Sequence, residues 1–306
     1  METLKYLVKR VFLAILSLFA IVTITFFLMN LMPGDPFMSE KATAETRAIL
    51  IAKYGLDKPV IVQYGRYLSN LLKGDFGTSY VLQKGRAVRE IITESFAVSM
   101  QIGVRALICA VIIGISLGCI SGLYKDKPID SIIRVISSIG ISTPGYVIAF
   151  SLMIVLSVKL KLLPVTFDKG AGTIMPVITL ALYSTCYLIR LTRASILEVM
   201  NQDYLRTVRA KGMSEFTVIF VHALKNSLIP VITYLGPLTA GILTGGFVAE
   251  SVFNVPGLGR YFVTSISSRD YTMIMGVTIF YSSMIVIMNL VCDILYKAVD
   301  PRITLD

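Results

Sequence analysis

The side chains able to do covalent chemistry are few and poorly placed for it. A single histidine, His222, makes neither a metal cluster nor a catalytic dyad by itself and reads as a packing or interface residue. Cys109, Cys119, Cys186 and Cys292 all fall in apolar runs without CxxC spacing, so they read as small buried hydrophobes, with no zinc site or disulfide framework indicated. Serines are plentiful, but none stands in a nucleophile motif with a general base. No GxxxxGK[ST] loop is present to cradle a nucleotide phosphate. Any ATP use therefore belongs to a partner, and no catalytic residue, cofactor-binding residue or metal ligand is assigned to this chain.

What the sequence does concentrate is charge. Asp203-Tyr-Leu-Arg-Thr-Val-Arg-Ala-Lys-Gly212 lies inside a polar segment, residues 190–226, between two long apolar runs. Met200, Tyr204 and Val208 recur every fourth residue while Arg206, Arg209 and Lys211 lie mostly off that line, which predicts a short amphipathic helix. Gly212 ends it in the left-handed backbone that commonly closes a helix, and Ser214 caps the next one, with Met213 and Val218 placed to staple across the cap. Phe216, Ile219, Phe220 and Ala223 then give a second apolar face. The expected product is a helix, glycine break, helix unit that lies along a membrane surface and shows basic side chains to whatever is beneath it.

The elements that hold this unit are membrane spans. The 306 residues are 55% hydrophobic and only 16% charged, with a mean hydropathy of +0.75, far from soluble averages. The net charge of +10 does not point to nucleic acid, because the cations gather at the ends of apolar runs as topology determinants do. Six candidate spans follow: residues 11–32, 96–124, 132–158, 171–189, 227–249 and 271–295, each long enough at about 1.5 Å per residue to cross a hydrocarbon core of about 30 Å. The first is too long for a signal-peptide core and is expected to stay as an anchor. Six crossings put both termini on one side. Placing that side in the cytoplasm gives the inner segments Lys5, Lys9, Arg10, Lys125, Lys127, Arg134, Arg190, Arg193, Arg206, Arg209, Lys211, Lys225, Lys297 and Arg302, against Lys159, Lys161, Lys169, Arg260 and Arg269 in the two short outer loops, and puts residues 190–226 inside; the cations of residues 33–95 count for little, because segments of that length translocate largely regardless of charge. The expected fold is thus all-α: residues 1–32 as N-terminus and first span, residues 33–95 as an extracytoplasmic domain between the first two spans, and residues 96–306 as a five-helix core.

Within that core, Ala106, Ala110, Gly114, Gly118 and Gly122 recur every fourth residue, a stripe of small residues that lets a second helix approach closely in lipid. Arg105, at the outer end of the same span, is expected to snorkel. Pro144, after Ser142-Thr143, and the fifth span's Pro237, Thr239, Gly241, Thr244 and Gly245 free backbone groups at membrane depth, which is tolerated only where protein or a water-filled cavity satisfies them. These six are the candidate pathway or hinge residues, with close packing as the competing reading. Asn289 and Asp293 lie one turn apart near the end of the last span and read as a structural anchor.

The segment from Asp203 to Gly212, with the His222-Ala-Leu-Lys-Asn-Ser-Leu-Ile-Pro230 that follows it, resembles the cytoplasmic loop of ABC-importer permeases in the branch that imports peptides, nickel and opines. Ala210 and Gly212 are kept from the family's Glu-Ala-Ala motif; the full triplet is not. The turn Pro33-Gly-Asp-Pro36, Gly55-Leu-Asp-Lys-Pro59, Gly74-Asp-Phe-Gly-Thr-Ser79, Glu250 to Arg260, Arg269-Asp-Tyr271 and the tail to Asp300-Pro-Arg302 are similar to the same family in the right order, its first permease subunit above all. The resemblance implies a coupling helix seated on an ATPase subunit, with Asp203, Tyr204, Arg206, Thr207, Arg209, Ala210, Lys211, Gly212 and Ser214 in the coupling loop. It also implies a second homologous permease, two ATPase subunits or domains that bind ATP and Mg, an extracytoplasmic solute-binding protein, and a bacterial or archaeal plasma membrane. Peptide is the expected solute, with nickel or opines as alternatives. An ion-coupled carrier is the competing class, and it would be expected to place several ionisable groups at mid-membrane depth, where this chain has almost none.

Overall fold

The computed structural model describes residues 2–31, 49, 51–52, 55–168, 170–244 and 246–299. The Pro33 to Pro36 turn, Gly245 and the tail from Asp300 to Arg302 lie outside the described residues, as do the side chains of Thr244, Cys292 and Asp293. Among the described residues the structure is helical, apart from an isolated antiparallel bridge between Thr78 and Ala87. The helices are α1 (Glu2–Leu31), α2 (Val60–Leu72), α3 (Val88–Leu123), α4 (Pro128–Ser142), α5 (Gly145–Leu152, continued by π-helical turns over Met153–Lys159), α6 (Ile174–Met200), α7 (Asp203–Ala210), α8 (Glu215–Thr217, Val218–Ala223 and Leu224–Ser227 in succession), α9 (Ile229–Thr244), α10 (Phe247–Val252), α11 (Leu258–Ser268) and α12 (Tyr271–Val299). Five of these stretches are long and apolar enough to cross a membrane, or six if α4 and α5 count as one span.

The span expected over residues 132–158 is broken at Pro144, the residue singled out in it as a hinge. α4 and α5 are bent by 106° at Thr143 and Pro144. Proline forces its predecessor out of the helical region, and Thr143 is extended at φ −86°, ψ 123°. Pro144, lacking an N–H, then takes the capping position of α5, where no hydrogen bond is forfeited.

The chain forms two compact units, one from Met1–Ser99 and Pro256–Leu290, the other from Met100–Val255 and Val291–Ile303. In the first, Phe26 of α1 is buried against Tyr64 and Tyr67 of α2, with ring centroids 5.2 and 5.7 Å apart, and Thr23 shares a 2.7 Å hydrogen bond with the Tyr64 hydroxyl. Its core joins Val88, Ile91 and Ile92 to Leu258, Met273 and Val277. The boundary expected at residue 95 therefore falls inside α3. Between Val88 and Gly103 no proline or glycine interrupts the helix, so α3 is continuous through residue 95. The aliphatic residues at its start share a core with residues from the last part of the chain.

In the second unit α3 lies directly on α6. A Cβ on Gly114 would stand 2.6 Å from the Leu188 Cβ, one on Gly118 would stand 2.5 Å from the Thr192 Cβ and 2.9 Å from the Ile189 carbonyl oxygen, and one on Gly122 would stand 2.9 Å from Ile196. Ala106 and Ala110 on the same line are fully buried. Without a hydrophobic driving force between spans, this backbone approach is what dispersion and weak polar contacts act across. Gly118→Leu is expected to lower the melting temperature of the detergent-purified protein, at a cost of about 1–3 kcal/mol from overpacking. Gly241→Ala, where a new Cβ meets nothing within 4 Å, is the matched control and is expected to leave it unchanged.

Candidate functional site

The polar segment folds as a closed hairpin. α6 ends at Met200, where Asn201 caps it and its side chain donates to the Leu197 carbonyl at 2.9 Å. Gln202 is extended, so α7 starts afresh at Asp203 instead of continuing the phase of α6. For that reason the apolar line expected through Met200, Tyr204 and Val208 holds at Met200 and Val208 but not at Tyr204. Leu205 is the fully buried residue, packed with Val218 and Ala223 of α8 and backed by Val199, Met200 and Val208. Tyr204 instead points its hydroxyl at α8, donating to the His222 carbonyl at 3.1 Å and accepting from the Asn226 amide at 2.8 Å.

Gly212 has φ +76° and open space where a Cβ would sit, so the demand for glycine there is one of backbone and not of packing. Its N–H donates to the Arg209 carbonyl at 2.9 Å. Ser214 accepts from the Thr217 N–H at 3.3 Å, capping α8. The hydrophobic half of that expectation shifts: Val218 is buried in the Leu205 cluster, while Met213 is exposed. Across the bend the Arg209 guanidinium donates to both carboxylate oxygens of Glu215, at 2.8 and 3.4 Å. Arg209 is thus engaged within the hairpin, whereas Lys211 is exposed and Arg206 makes only a loose 3.4 Å pair with Asp203. Thr207 returns its hydroxyl to the Asp203 carbonyl at 3.3 Å, and Ala210 closes α7 on the exposed side. Phe216 and Phe220, expected on a second apolar face with Ile219 and Ala223, stack on each other with centroids 4.6 Å apart and are 69% and 50% exposed. The hairpin accordingly exposes Arg206, Lys211 and a phenylalanine pair and is held by a buried aliphatic cluster, a bidentate ion pair and a tyrosine latch.

Two buried carboxylates escaped the sequence reading. Asp130, in the first turn of α4, is fully buried and accepts from Arg193 of α6 through both Nε (2.7 Å) and Nη2 (2.8 Å), from the Ser121 hydroxyl at 2.5 Å and from the Asp126 N–H at 3.0 Å. Arg193 was expected only as one of the topology-setting cations. Asp270, which begins α12, accepts from the Ser79 hydroxyl and from the N–H groups of Tyr80, Val81 and Leu82. Pro144 is exposed at the α4–α5 break, and Pro237 and Gly241 are exposed on α9, where Thr239 turns its hydroxyl to the Leu235 carbonyl at 2.6 Å. Arg105 donates to the Thr173 hydroxyl at 3.2 Å. No group of three or more His, Cys, Asp or Glu side chains is close enough to hold a metal among the described residues.

Membrane-length helices with a polar hairpin between two of them define a multi-pass membrane protein, and the comparisons define the family. Residues 114–305 match the model of the binding-protein-dependent transport system inner membrane component, and residues 3–103 match that of its N-terminal region. The chain belongs to this family of ABC-importer permeases. It is 42% identical over 303 residues to the dipeptide transport system permease protein DppB of Bacillus subtilis (strain 168), covering 98% of each chain. It is 39% identical over 304 residues to the oligopeptide transport system permease protein OppB of Haemophilus influenzae, covering 98% of this chain and 99% of that one. In fold it is similar to the crystal structure of an amino acid ABC transporter with histidines, at a TM-score of 0.58 and 15% identity, over 69% of this chain and 94% of that one. It is also similar to the inward-facing MetNI methionine ABC transporter, at a TM-score of 0.54 and 12% identity, over 69% and 97%.

Proposed function

We propose that this chain is one of two transmembrane subunits of an ATP-driven importer of di- or oligopeptides in a bacterial or archaeal plasma membrane. The supporting observation is likeness over almost the full length to permeases named for dipeptide and oligopeptide transport. In this reading both termini and residues 190–226 are cytoplasmic, residues 33–95 are extracytoplasmic and meet a solute-binding protein, and ATP and Mg are bound by two partner ATPases. A helical bundle with two packings of similar energy opens its cavity to either side. When the ATPases close, they push the hairpin of α7 and α8, which moves as one body because its cluster, ion pair and latch leave it little internal freedom, and α6 and α9 at its two ends carry the displacement into the membrane. Arg206 and Lys211 are the polar contacts offered to the ATPase, with Asp203, Tyr204, Thr207, Arg209, Ala210, Gly212 and Ser214 shaping the hairpin that presents them. Pro144, Pro237, Thr239, Gly241, Thr244 and Gly245 are the positions at which the spans flex or line the path.

Gly212→Val tests the coupling. A β-branched residue at φ +76° costs about 1–2 kcal/mol, enough for roughly a tenfold loss of the bent form. Peptide uptake, and the stimulation of ATP hydrolysis by loaded binding protein, are expected to fall by about that factor while membrane insertion is unchanged. Gly212→Asn, which tolerates the left-handed region, is expected to keep most of the activity. Full solute-dependent ATPase activity in the valine variant, or uptake by vesicles that contain this polypeptide alone, would refute the reading.

A further inference from the structure

The second half of α3 carries two unlike faces. Its glycines press on α6. Roughly opposite them, Ile108 and Ile112 stand 52% and 62% exposed, and the same helical line continues through Ser116, Cys119 and Leu123 into a groove of about 250 Å³. An apolar cavity of roughly 150 Å³ already holds a benzene, so this one takes several methylenes. Ile196 of α6 and Ile219 and Phe220 of α8 form its other walls, which expose no polar atom. At its mouth stands Tyr124, with the Lys127 ammonium 5.0 Å from the ring centroid. Lys125 is exposed beside it, and Asp126, 4.0 Å from Lys125, is the anion of the same turn.

A wall without polar atoms offers a peptide backbone no hydrogen-bond partner, and the groove opens from a helix face that is already exposed and apolar. Lys125 and Lys127 stand beside Tyr124, at the end of the groove where α3 finishes. Such polarity, an apolar channel leading to a cationic mouth at the end of a span, matches an amphiphile with an anionic head. We propose that this groove holds an acyl chain of an anionic phospholipid whose headgroup lies on Lys125 and Lys127. The lipid thereby wedges between α3 and the hairpin segment α8.

The test uses the full chain, purified with whatever subunits accompany it, in nanodiscs doped with phosphatidylglycerol or phosphatidylcholine carrying the same diazirine-labelled acyl chain. Cross-links mapped by mass spectrometry are expected in peptides covering residues 116–124 and 219–224, with phosphatidylglycerol ahead by at least about fivefold, the contribution of one lysine near an anionic headgroup. Lys127→Gln is expected to remove most of that preference, and Cys119→Trp to abolish labelling of the groove while labelling of the exposed α1 continues. Because Cys119→Trp risks misfolding, the exposed Lys127→Gln variant carries the test by itself. Equal yields for the two headgroups, an unchanged preference in Lys127→Gln, or a co-purified subunit cross-linked to a photoactivatable residue at 119 would each overturn the proposal. No arm depends on transport, so its failure is distinct from failure of the proposed function.

Discussion

Asp130→Ala is expected to lower the melting temperature of the purified protein by on the order of 10 °C, a loss of about 3 kcal/mol. The carboxylate is fully buried and takes two hydrogen bonds from Arg193, so its removal leaves a guanidinium facing a void with 18% of its side chain in contact with solvent. That residual exposure places the cost at the low end of the range for breaking a buried pair, because some water reaches the stranded cation. Arg134, 3.7 Å from the same carboxylate but half exposed, is too loosely held to substitute for it. Arg193→Met should cost a similar amount by leaving the buried Asp130 carboxylate with only the Ser121 hydroxyl, the Asp126 N–H and the loose Arg134 pair. The signature is in the double variant: Asp130→Ala with Arg193→Met is expected to lose clearly less than the sum of the single losses, since removing both members of a buried pair leaves no stranded charge. Additive losses in that cycle would show that the pair does not act as a unit. The consequence for transport lies in what the pair joins, for it ties the first turn of α4 to α6 two turns before the hairpin. Under the proposed function, a loosened α6 would transmit less of the displacement that the hairpin receives.

Why the helices and the hairpin were legible while this pair was not follows from the range of each signal. The small-residue stripe, the glycine at 212 and the serine cap at 214 are local: spacing and backbone conformation are written within a few residues of where they act, and Gly212 at φ +76° and Ser214 bonded to the Thr217 N–H stand as their residue types require. Asp130 and Arg193 are 63 residues apart, and nothing in either neighbourhood marks the other. Where local reading failed, a break had reset the phase. Asn201 and Gln202 interrupt the helix, which moves the buried position from Tyr204 to Leu205. Had Gln202 been read as the start of a new helix, Leu205 and Val208, three apart, would have defined the inner face. Likewise, Thr143 and Pro144 announced a break, but its 106° bend depends on how α4 and α5 pack on α6, which no dipeptide encodes. Phe216 and Phe220 do fall on one face as spaced, yet that face is exposed, because a periodicity gives the face without naming what covers it.

Asp270→Ala is expected to be the other large loss, again above about 3 kcal/mol, and its test is a graded series. The side chain sits where α11 ends and α12 begins. Arg269 closes α11 in the left-handed region at φ 56°, and Asp270 caps α12 by accepting from the Met273 N–H at 3.3 Å. The same carboxylate gathers three successive backbone N–H groups, from Tyr80 at 3.1 Å, Val81 at 3.1 Å and Leu82 at 3.0 Å, together with the Ser79 hydroxyl at 2.5 Å and that of Thr272 at 3.2 Å. A concave run of amides of this kind is an anion site, and here the anion is the protein's own. Alanine leaves those donors without a partner in a buried position, at about 1–3 kcal/mol for each that water does not reach. Asparagine should fall between, since one of its two heads donates and faces amides that also donate. Ser79→Ala removes a single hydroxyl and is expected to cost about 1 kcal/mol, leaving the amides held. Melting temperatures in the order wild type, Ser79→Ala, Asp270→Asn, Asp270→Ala, with protease sensitivity rising over residues 79–86 in the same order, are the expected outcome. An Asp270→Asn variant as stable as wild type would show that charge is not what holds the loop. An acid just ahead of an apolar helix is a recognisable cap in sequence, but its second role, pinning a loop 188 to 191 residues earlier in the chain, exists only once the fold has brought α12 to it.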